Sequence, residues 1–340
     1  MVYPKVSIMI PTYNRADFLD SAVRSALDQD YPNLEVIVSD NASVDETQQT
    51  VQKYLKDPRF RYFRNASNIG LIENWKKLLH EYASGDVGKI LADDDYLVER
   101  RHVSMAVELM KKRHAQIVLS GFRQDVEEPD RPARSIGYDF DIPEVTESSW
   151  WLKNAGKKLK GKYLFLNIIS CGLFDLAKAR ALKAFVPHDY GLDYELLFRM
   201  VLTGRTGYLK GCHAVLRSHG GCDGLSHSFT KAQGGCEIFQ RLFEMGLSLG
   251  YPRSLMAQFR RRNLIVFVNT FLVPKWFTEN KVTFRSVFQF YQRLNEFDGL
   301  LFFPVMTSYQ TLCWLLRIKN SRLYHLLRKA CKSVTRKTSP

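Results

Sequence analysis

Short apolar runs alternate with amphipathic segments over the N-terminal part of the chain. The apolar runs predict strands at Val6–Ile10, Leu34–Ser39, Arg59–Phe63 and Val87–Ala92. Between them, apolar residues at helical spacing predict helices at Ala16–Gln29, Val44–Leu55 and Leu71–Tyr82. Strands that alternate with helices over short loops are typical of a parallel, doubly wound α/β sheet, so we predict that fold class.

The pattern is less regular in the middle of the chain. A long polar segment, 123–147, contains three prolines and predicts a loop that covers or lines a binding site. Around it we predict a helix at 99–113, a strand at 116–121, a strand-like stretch at 163–174, helices at 176–184 and 191–202, and a strand at 213–217. From Phe229 onward the pattern is helical.

Charge divides the chain into two parts. Residues 251–340 contain 16 Lys and Arg side chains and three acids, whereas residues 1–250 contain 33 basic and 32 acidic side chains. We therefore predict a near-neutral domain at 1–250 and a helical, basic region at 251–340. Such an asymmetry indicates a polyanionic partner, either nucleic acid or an anionic membrane surface.

The basic region carries two candidate membrane segments. Eighteen uncharged residues between Asp298 and Arg317 approach the length of a bilayer span, but Pro304 and several polar residues interrupt them, which favours a helix lying in the interface. Beyond them, apolar residues recur at helical spacing opposite basic residues, a pattern typical of a membrane-surface helix. An ordinary helical subdomain packed on the first domain would show the same pattern.

Three consecutive aspartates, Asp93, Asp94 and Asp95, directly follow the fourth predicted strand. Ligands of open α/β sheets bind at the carboxyl ends of strands, and adjacent like charges repel unless a cation compensates them. Mg2+ or Mn2+ would suit the cluster, because these cations bind carboxylate oxygens and share their other positions with phosphates. A solvated acidic turn or the start of the next helix is the alternative.

Two common nucleotide-binding motifs are absent from the sequence. Neither GxGxxG nor GxxxxGK[ST] occurs, which argues against dinucleotide-dependent oxidoreductases and P-loop enzymes. Any diphosphate would therefore be held mainly by metal and basic side chains. The six cysteines form no CxxC pair and the N-terminus lacks the features of a signal peptide, so we expect reduced thiols and a cytosolic protein.

Three segments, IPTYNRADFLDSAVRSALDQDYPNLEVIVSDNASVDET, NIGLIENW and LADDDYL, resemble the family 2 glycosyltransferases of the GT-A fold in order and spacing. The resemblance covers about residues 5–226 and implies a Rossmann-like nucleotide-binding sheet flanked by helices. Thr12 and Asp40 would contact the base, typically uracil, while Asp93 would lie near the ribose and Asp95 would bind the metal. The residues implied in nucleotide binding are Pro11, Thr12, Asn14, Asp40, Asn68, Gly70, Asp93 and Asp94.

Two later segments carry the rest of the resemblance. DYGLDYELLFRM resembles the segment in which the family's general base begins a helix, which implies that role for Asp193. The acid that usually precedes the base is Leu192 here, so Asp189 is an alternative, and Asp193 could instead be a helix N-cap. VLRSHGG resembles a segment whose arginine faces phosphate and whose histidine completes the metal site, which implies these roles for Arg217 and His219. A structural role is the alternative for His219.

The resemblance predicts a metal-dependent, inverting glycosyltransferase that uses Mn2+ or Mg2+. Its expected substrates are a nucleotide sugar, typically a UDP-sugar, and a lipid-linked saccharide in the synthesis of a bacterial surface polysaccharide such as O-antigen, capsule or lipopolysaccharide. We expect a peripheral protein at the cytoplasmic face of the inner membrane, with no nucleic acid partner. The alternatives are a sugar-phosphate nucleotidyltransferase, for which IPTYNR lacks the required Gly/Arg-rich loop, and a nucleic-acid-binding protein acting through its basic tail.

Overall fold

The structure, a computed structural model, describes residues 3–126, 134–159, 162–164, 169–183, 185, 192–218 and 229–267. Contacts within the chain divide it into two compact units, Met1–Ser226 and His227–Pro340. The resemblance at about 5–226 therefore corresponds to the first unit.

A sheet runs through the first unit, and its N-terminal half is parallel. The strands β1 (Val6–Thr12), β2 (Leu34–Asp40), β3 (Phe60–Arg64) and β4 (Val87–Ile90) lie in the order β3-β2-β1-β4. Every residue of β1 and β2 is buried. Strands buried on both faces have largely apolar sequences, which is why β1, β2 and β4 could be predicted. β3, with the sequence FRYFR, is mostly only partly buried, and the prediction of all four strands is confirmed.

Helices connect these parallel strands. Helix α1 (Ala16–Leu27) buries one face, formed by Leu19, Ala22, Val23 and Ala26. Helix α2 (Thr47–Gln52) is shorter than the predicted 44–55, because the Asp45 carboxylate accepts hydrogen bonds from the backbone N–H groups of Ala16 and Thr47 and holds the preceding residues in a loop. Helix α3 (Leu71–Lys77) continues through a π-helical turn to Tyr82.

The second half of the sheet is mixed, so the prediction of a wholly parallel sheet is wrong there. Strand β6 (Ile117–Val126) is parallel to β12 (Thr206–Ser218), but β11 (Gly172–Asp175) lies between β4 and β6 and is antiparallel to both. The short strand β5 (Tyr96–Leu97) pairs antiparallel with β12 at the sheet edge. A 3₁₀ turn (Ile169–Cys171) leads directly into β11.

Much of the predicted loop 123–147 belongs to the sheet. β6 extends to Val126, β7 (Arg134–Tyr138) pairs antiparallel with it, and β8 (Val145–Thr146) pairs with β12. From Ser135 to Tyr138 exposed and partly buried residues alternate, so this strand lacks the continuous apolar run by which β1 and β2 could be predicted.

The first unit contains further short elements: α4 (His102–Arg113), α5 (Ser148–Asn154), β9 (Lys158–Leu159), β10 (Lys162–Tyr163), α6 (Leu176–Ala181) and α7 (Leu192–Leu202). β9 and β10 form a separate two-stranded sheet. Trp151 is buried, and its indole N–H donates to the Thr146 hydroxyl at 2.8 Å, which fixes α5 against β8.

Two helices, α8 (Phe229–Ser248) and α9 (Arg253–Phe267), form the described part of the second unit. Their contacts include Phe239 and Phe267, whose ring centroids are 5.8 Å apart, and a hydrogen bond from Arg260 to Gln240. This packing places α8 in the second unit, whereas the charge pattern predicted a first domain that ends at residue 250 and includes α8.

Membrane contact was predicted for segments C-terminal to these helices. Within the part of the chain that the structure describes, no helix has the length and apolar character needed to cross a bilayer. The two candidate segments after Asp298 lie outside the described residues.

Candidate active site

The carboxyl ends of β1, β2 and β4 lie along one edge of the sheet, and most of the predicted site residues are there. Parallel pairing sets Pro11 beside Ser39 and Thr12 beside Asp40. The three aspartates follow β4 after two further residues. Open α/β sheets bind their ligands at this edge, so the ends of the three strands converge where a ligand would bind.

The aspartates form a tight turn in which their carboxylates are crowded. The backbone N–H of Asp95 donates to the Ala92 carbonyl at 3.1 Å, and Asp95 is buried. Burial and the charge of Asp94 raise the pKa of Asp93 to about 7 and the pKa of Asp95 to about 8. An ion pair between Arg15 and Asp94, with an N–O distance of 2.8 Å, relieves part of the repulsion. A bound cation would further favour the ionised carboxylates.

Arg217, which the resemblance placed against phosphate, reaches this turn from β12. Its Nε donates to the Asp94 carbonyl at 2.7 Å, and its backbone N–H donates to Oδ1 of Asp95 at 3.3 Å. The guanidinium carbon lies 5.1 Å from the ring centroids of both Phe18 and Tyr96, within the range of cation–π attraction. These contacts fix a positive charge beside the aspartates, where a diphosphate would need one.

The donors at the turn fit a divalent cation that is shared with phosphate. Within the described ranges, no group of three or more His, Cys, Asp or Glu is arranged as a metal site. A protein-only site is not required, because Mg2+ is commonly bound through one or two carboxylates and completes its coordination with water and substrate phosphates. Asp95 and Asp93 can supply the carboxylates. His219, the second predicted ligand, lies outside the described residues.

Asp40 holds two loops together and is closed off from solvent. One carboxylate oxygen accepts a hydrogen bond from the backbone N–H of Ser43 at 2.8 Å. The other accepts from the Tyr62 hydroxyl at 2.6 Å and lies 3.4 Å from Nε of Arg64. Asp40 is 0% exposed, so the base contact implied by the resemblance would require these partners to move. In this structure Asp40 supports the loops beside the site.

Asn14 joins the loops that follow β1 and β2. Its backbone N–H donates to the Ser43 hydroxyl at 2.9 Å, and its side-chain oxygen accepts from the backbone N–H of Val44 at 2.8 Å. Asn14 has a left-handed φ of 52°, which asparagine tolerates better than most residues. Asn14 therefore shapes the loop directly after Thr12.

A network of buried amides supports the loop that carries Asn68 and Gly70. The side-chain oxygen of Asn68 accepts hydrogen bonds from the Asn41 amide at 2.8 Å and from the Gly70 N–H at 2.9 Å. Further hydrogen bonds lead back to β2 through four buried residues: Asn41, Asn65, Asn74 and Ser39. Sequence reasoning missed this network, although the recurrence of asparagine before and within the start of α3 is a signal that could have revealed it.

Asp193 lies in the first turn of α7 and is half-buried. Burial raises the pKa of its carboxyl to about 7, although backbone hydrogen bonds at the helix start oppose the shift. Helix α7 packs on the 3₁₀ turn Ile169–Cys171, which contacts the aspartate turn through Ser170. A carboxyl with a pKa near neutrality suits proton transfer. Asp189, the alternative base, lies outside the described residues.

Two buried residues behind Asp95 were also missed by sequence reasoning. Ser170 donates a hydrogen bond from its hydroxyl to Oδ2 of Asp95 at 2.6 Å. Lys89 donates to the backbone carbonyl of Ser170. A charged residue inside the apolar run VGKILA could have drawn attention to Lys89, whereas no feature of the sequence around Ser170 indicates its contact with Asp95.

Comparisons with known proteins agree with this geometry. A family model described as Glycosyl transferase family 2 matches residues 7–184. The chain is 40% identical over 96 residues to a GalNAc(5)-diNAcBac-PP-undecaprenol beta-1,3-glucosyltransferase of Campylobacter jejuni, a match that covers 28% of this chain and 31% of that protein. It is 26% identical over 117 residues to the poly(ribitol-phosphate) beta-N-acetylglucosaminyltransferase TarS of Staphylococcus aureus, covering 34% of this chain and 20% of TarS. Both matches span less than half of the relative's length.

Solved structures show the same fold. S. aureus TarS 1-349 in complex with UDP-GlcNAc aligns with a TM-score of 0.67 at 18% identity, covering 86% of this chain and 80% of that one. The mannosyltransferase PcManGT from Pyrobaculum calidifontis, in complex with GDP-Man and Mn2+, aligns with a TM-score of 0.55 at 15% identity, covering 91% and 85%. The predicted GT-A fold is confirmed, and because the family model spans more than half of the chain, the protein belongs to glycosyl transferase family 2.

Proposed function

We propose that the protein is a metal-dependent, inverting glycosyltransferase that moves a sugar from a nucleotide sugar to a hydroxyl of a lipid-linked saccharide. The observation that carries the proposal is the crowded turn at Asp93–Asp95, which lies at the carboxyl ends of parallel strands with Arg217 against it. Carboxylates for a cation and a guanidinium for phosphate are the groups that a nucleoside diphosphate needs.

The donor's nucleoside would lie against the loops after β1, β2 and β3. Pro11, Thr12 and Asn14 would bound it on one side and the loop of Asn68 and Gly70 on the other, while Asp93 and Asp94 lie nearer the ribose and phosphates. A UDP-sugar is the donor that we favour, since TarS, which shares the fold, has been solved with UDP-GlcNAc. Asp40 would act by holding the base-side loops in place.

Mn2+ or Mg2+ bound at Asp95 would neutralise the charge of the donor's diphosphate, and the Mn2+ in the PcManGT complex supports such a role for a cation in this fold. Arg217 adds a fixed positive charge beside the same turn. A positioned charge of this kind stabilises the negative charge that develops on the departing nucleoside diphosphate. The residues at the turn thus lower the barrier to breaking the bond between the sugar and the diphosphate.

Asp193 would act as the general base. The acceptor oxygen forms a bond to the anomeric carbon from the face opposite the leaving group, the bond from that carbon to the diphosphate oxygen breaks, and its electron pair leaves with the diphosphate. The acceptor's proton passes to the Asp193 carboxylate. A single displacement inverts the anomeric configuration and requires no second nucleophilic carboxylate.

We further propose a lipid-linked acceptor from a bacterial surface polysaccharide, such as O-antigen, capsule or lipopolysaccharide. The Campylobacter relative is named for a PP-undecaprenol substrate. Such an acceptor lies in a membrane, and the excess of 16 basic over three acidic residues in 251–340 supports peripheral attachment to the anionic cytoplasmic face of the inner membrane.

A donor screen tests the proposal. Full-length protein would be incubated with a panel of UDP- and GDP-sugars, with Mn2+ or with chelator, and release of the nucleoside diphosphate would be measured. We expect release from one donor class with Mn2+, and Asp95→Ala should lower the rate by about 10²–10³-fold, the usual cost of losing one charge-stabilising group. Asp141→Asn is the matched control, because Asp141 is an exposed acid with a side chain that is 70% accessible.

Two outcomes would contradict the proposal. Release that is unchanged by both chelator and Asp95→Ala would remove the metal from the mechanism. Failure of the wild-type protein to release diphosphate from any nucleotide sugar would contradict the donor chemistry.

A further inference from the structure

A lysine lies in the middle of the sheet behind the aspartate turn. Lys89 is on β4, between β1 and β11, and is 0% exposed. Its ammonium donates to the backbone carbonyl of Ser170 in the 3₁₀ turn. Lysine is almost never fully buried unless it is paired, because removing its charge from water is costly. An apolar residue would avoid this cost, so the lysine calls for a reason beyond the stability of the strand.

Asp95 is the carboxylic acid that interacts electrostatically with Lys89. The thiol of Cys171 also lies close, but burial raises its pKa and keeps it neutral. The imidazole of His102 is neutral too, because burial and the charge of Lys89 hold its pKa well below the usual value. The geometric link from Lys89 to Asp95 runs through Ser170, whose carbonyl accepts a hydrogen bond from the lysine and whose hydroxyl donates to the carboxylate.

Ser170 faces Asp95 from the 3₁₀ turn. Its hydroxyl donates to Oδ2 of Asp95 at 2.6 Å and accepts a hydrogen bond from the backbone N–H of Ala92 at 3.1 Å. The other carboxylate oxygen, Oδ1, accepts from the backbone N–H of Arg217 at 3.3 Å. Asp95 is thus held on both oxygens, and each oxygen retains a lone pair for another ligand.

We propose that Ser170 is a positioning residue for Asp95 and that Lys89 holds Ser170 in place, so that Lys89, Ser170 and Asp95 form one unit that presents a carboxylate to the divalent cation. The inference rests on the proposed function, because it requires Asp95 to bind the cation. Removing a hydrogen-bond partner that orients a ligand typically lowers metal affinity about 10–100-fold.

Ser170→Ala gives the central test, because it removes the hydroxyl but keeps the carbonyl that Lys89 contacts. The affinity of the full-length protein for Mn2+ alone would be measured from the electron paramagnetic resonance signal of free Mn2+. We expect the affinity to fall about 10–100-fold. Ser170→Thr, which keeps a hydroxyl, should restore most of the lost affinity. Binding of uridine diphosphate without metal, measured by calorimetry, should not change.

Two further variants test whether the effect is specific to Lys89, Ser170 and Asp95 or reflects a general disturbance of the turn. Ser120 is the matched control: it is a buried serine whose hydroxyl donates to the Cys171 carbonyl of the same turn at 3.4 Å. Ser120→Ala should leave the Mn2+ affinity unchanged. Lys89→Met keeps most of the length of the side chain without its ammonium group, and we expect it to lower the Mn2+ affinity as Ser170→Ala does. Circular dichroism would confirm that each variant is folded.

The outcomes separate this inference from the proposed function. Ser170→Ala protein that binds Mn2+ as tightly as the wild type overturns the role of Ser170, and an equal loss in Ser120→Ala overturns it as well. Asp95→Ala is measured in parallel. If Asp95→Ala alone weakens Mn2+ binding, the metal site stands and the positioning role is wrong. If Asp95→Ala binds Mn2+ normally, the metal site itself is misassigned.

Discussion

Asp193 is the residue on which the proposed proton transfer depends. Its half-buried position at the start of α7 raises the pKa to about 7, so the carboxylate becomes available as the pH rises through neutrality. We expect the transfer rate of the wild type to increase with pH around 7. Asp193→Asn should lower kcat by on the order of a hundredfold or more, the scale of a lost base, and should leave donor binding intact. Rates across pH and calorimetry with uridine diphosphate would measure both effects.

The control for this prediction is Asp141→Asn, an exposed change that should leave kcat and its pH profile unaltered. Asp189→Asn provides the comparison with the alternative base. An active Asp193→Asn variant beside an inactive Asp189→Asn variant would move the base to position 189.

Glu35 shows how a buried charge stabilises the sheet. Burial alone would raise its pKa, but hydrogen bonds from Ser7, Lys5 and Ser84 outweigh burial and lower the pKa from 4.5 to about 2. The ionised form therefore stabilises the fold above about pH 4.5, and this contribution is lost as the pH falls toward 2. Glu35→Gln should lower the free energy of unfolding by about 2 kcal/mol at neutral pH, because it weakens hydrogen bonds to a charged group.

Urea unfolding at several pH values would test the Glu35 prediction. The difference between wild type and variant should shrink as the pH falls from 4.5 toward 2, since the Glu35 carboxylate of the unfolded wild-type chain is protonated in that range while that of the folded chain stays ionised. Glu147→Gln is the matched control, because Glu147 pairs with Arg205 while its side chain is 62% exposed. Exposed pairs contribute about 0–1 kcal/mol, so the control should change stability little at any pH.

At the scale of elements, the sequence was most informative where local pattern determines structure. β1, β2, β4 and α1 could be predicted because burial on both faces, or on one helical face, is visible as an apolar pattern. The direction of β11 could not, because it depends on which strands it joins after a long connection. The same limit applies to the site. The three aspartates are contiguous and could be recognised in the sequence, whereas Ser170 and Asp95, which share a hydrogen bond, are 75 residues apart in the chain.

The turn into α3 allows backbone strain to be separated from function. Gly70 has φ of 86°, and a Cβ built on it would meet no atom within 4 Å. Gly250, in the second unit, has φ of 84° and equally open surroundings. Gly70→Ala and Gly250→Ala should therefore each cost about 1–3 kcal/mol of stability from the backbone strain of a positive φ. We expect Gly70→Ala alone to raise KM for the donor, because its N–H donates to Asn68 in the proposed nucleotide loop.

Thermal unfolding and donor kinetics on both glycine variants would show whether the substitution at position 70 affects KM for the donor as well as stability. A loss of stability in both variants with an increase of KM only at position 70 would support the nucleotide role of this loop. An unchanged KM in Gly70→Ala, or an equal increase in Gly250→Ala, would contradict it.

At the scale of the whole molecule, positive charge is concentrated in the C-terminal region, which could be attracted to an anionic surface. The net charge of +14 belongs almost entirely to residues 251–340, while residues 1–250 are close to neutral. Each Lys or Arg near an anionic leaflet contributes about 1 kcal/mol, so even a third of the 16 basic residues would hold the protein at a membrane without a spanning segment. Nucleic acid would compete for the same charges, which makes oligonucleotide binding the natural comparison.

Membrane attachment is therefore the prediction for the intact chain. We expect the full-length protein to sediment with anionic liposomes at low salt, to be released in part by high salt because screening weakens the attraction, and not to bind oligonucleotides under the same conditions. Reversal of Arg328, Lys329 and Lys332 to Glu should weaken sedimentation while metal-dependent donor hydrolysis persists.

The control reverses three consecutive exposed basic residues at the end of α4, Lys111, Lys112 and Arg113, which changes the total charge equally. Equal effects of the two reversals would indicate attraction by net charge alone, and full-length protein that remains in solution beside anionic liposomes at low salt would contradict membrane attachment.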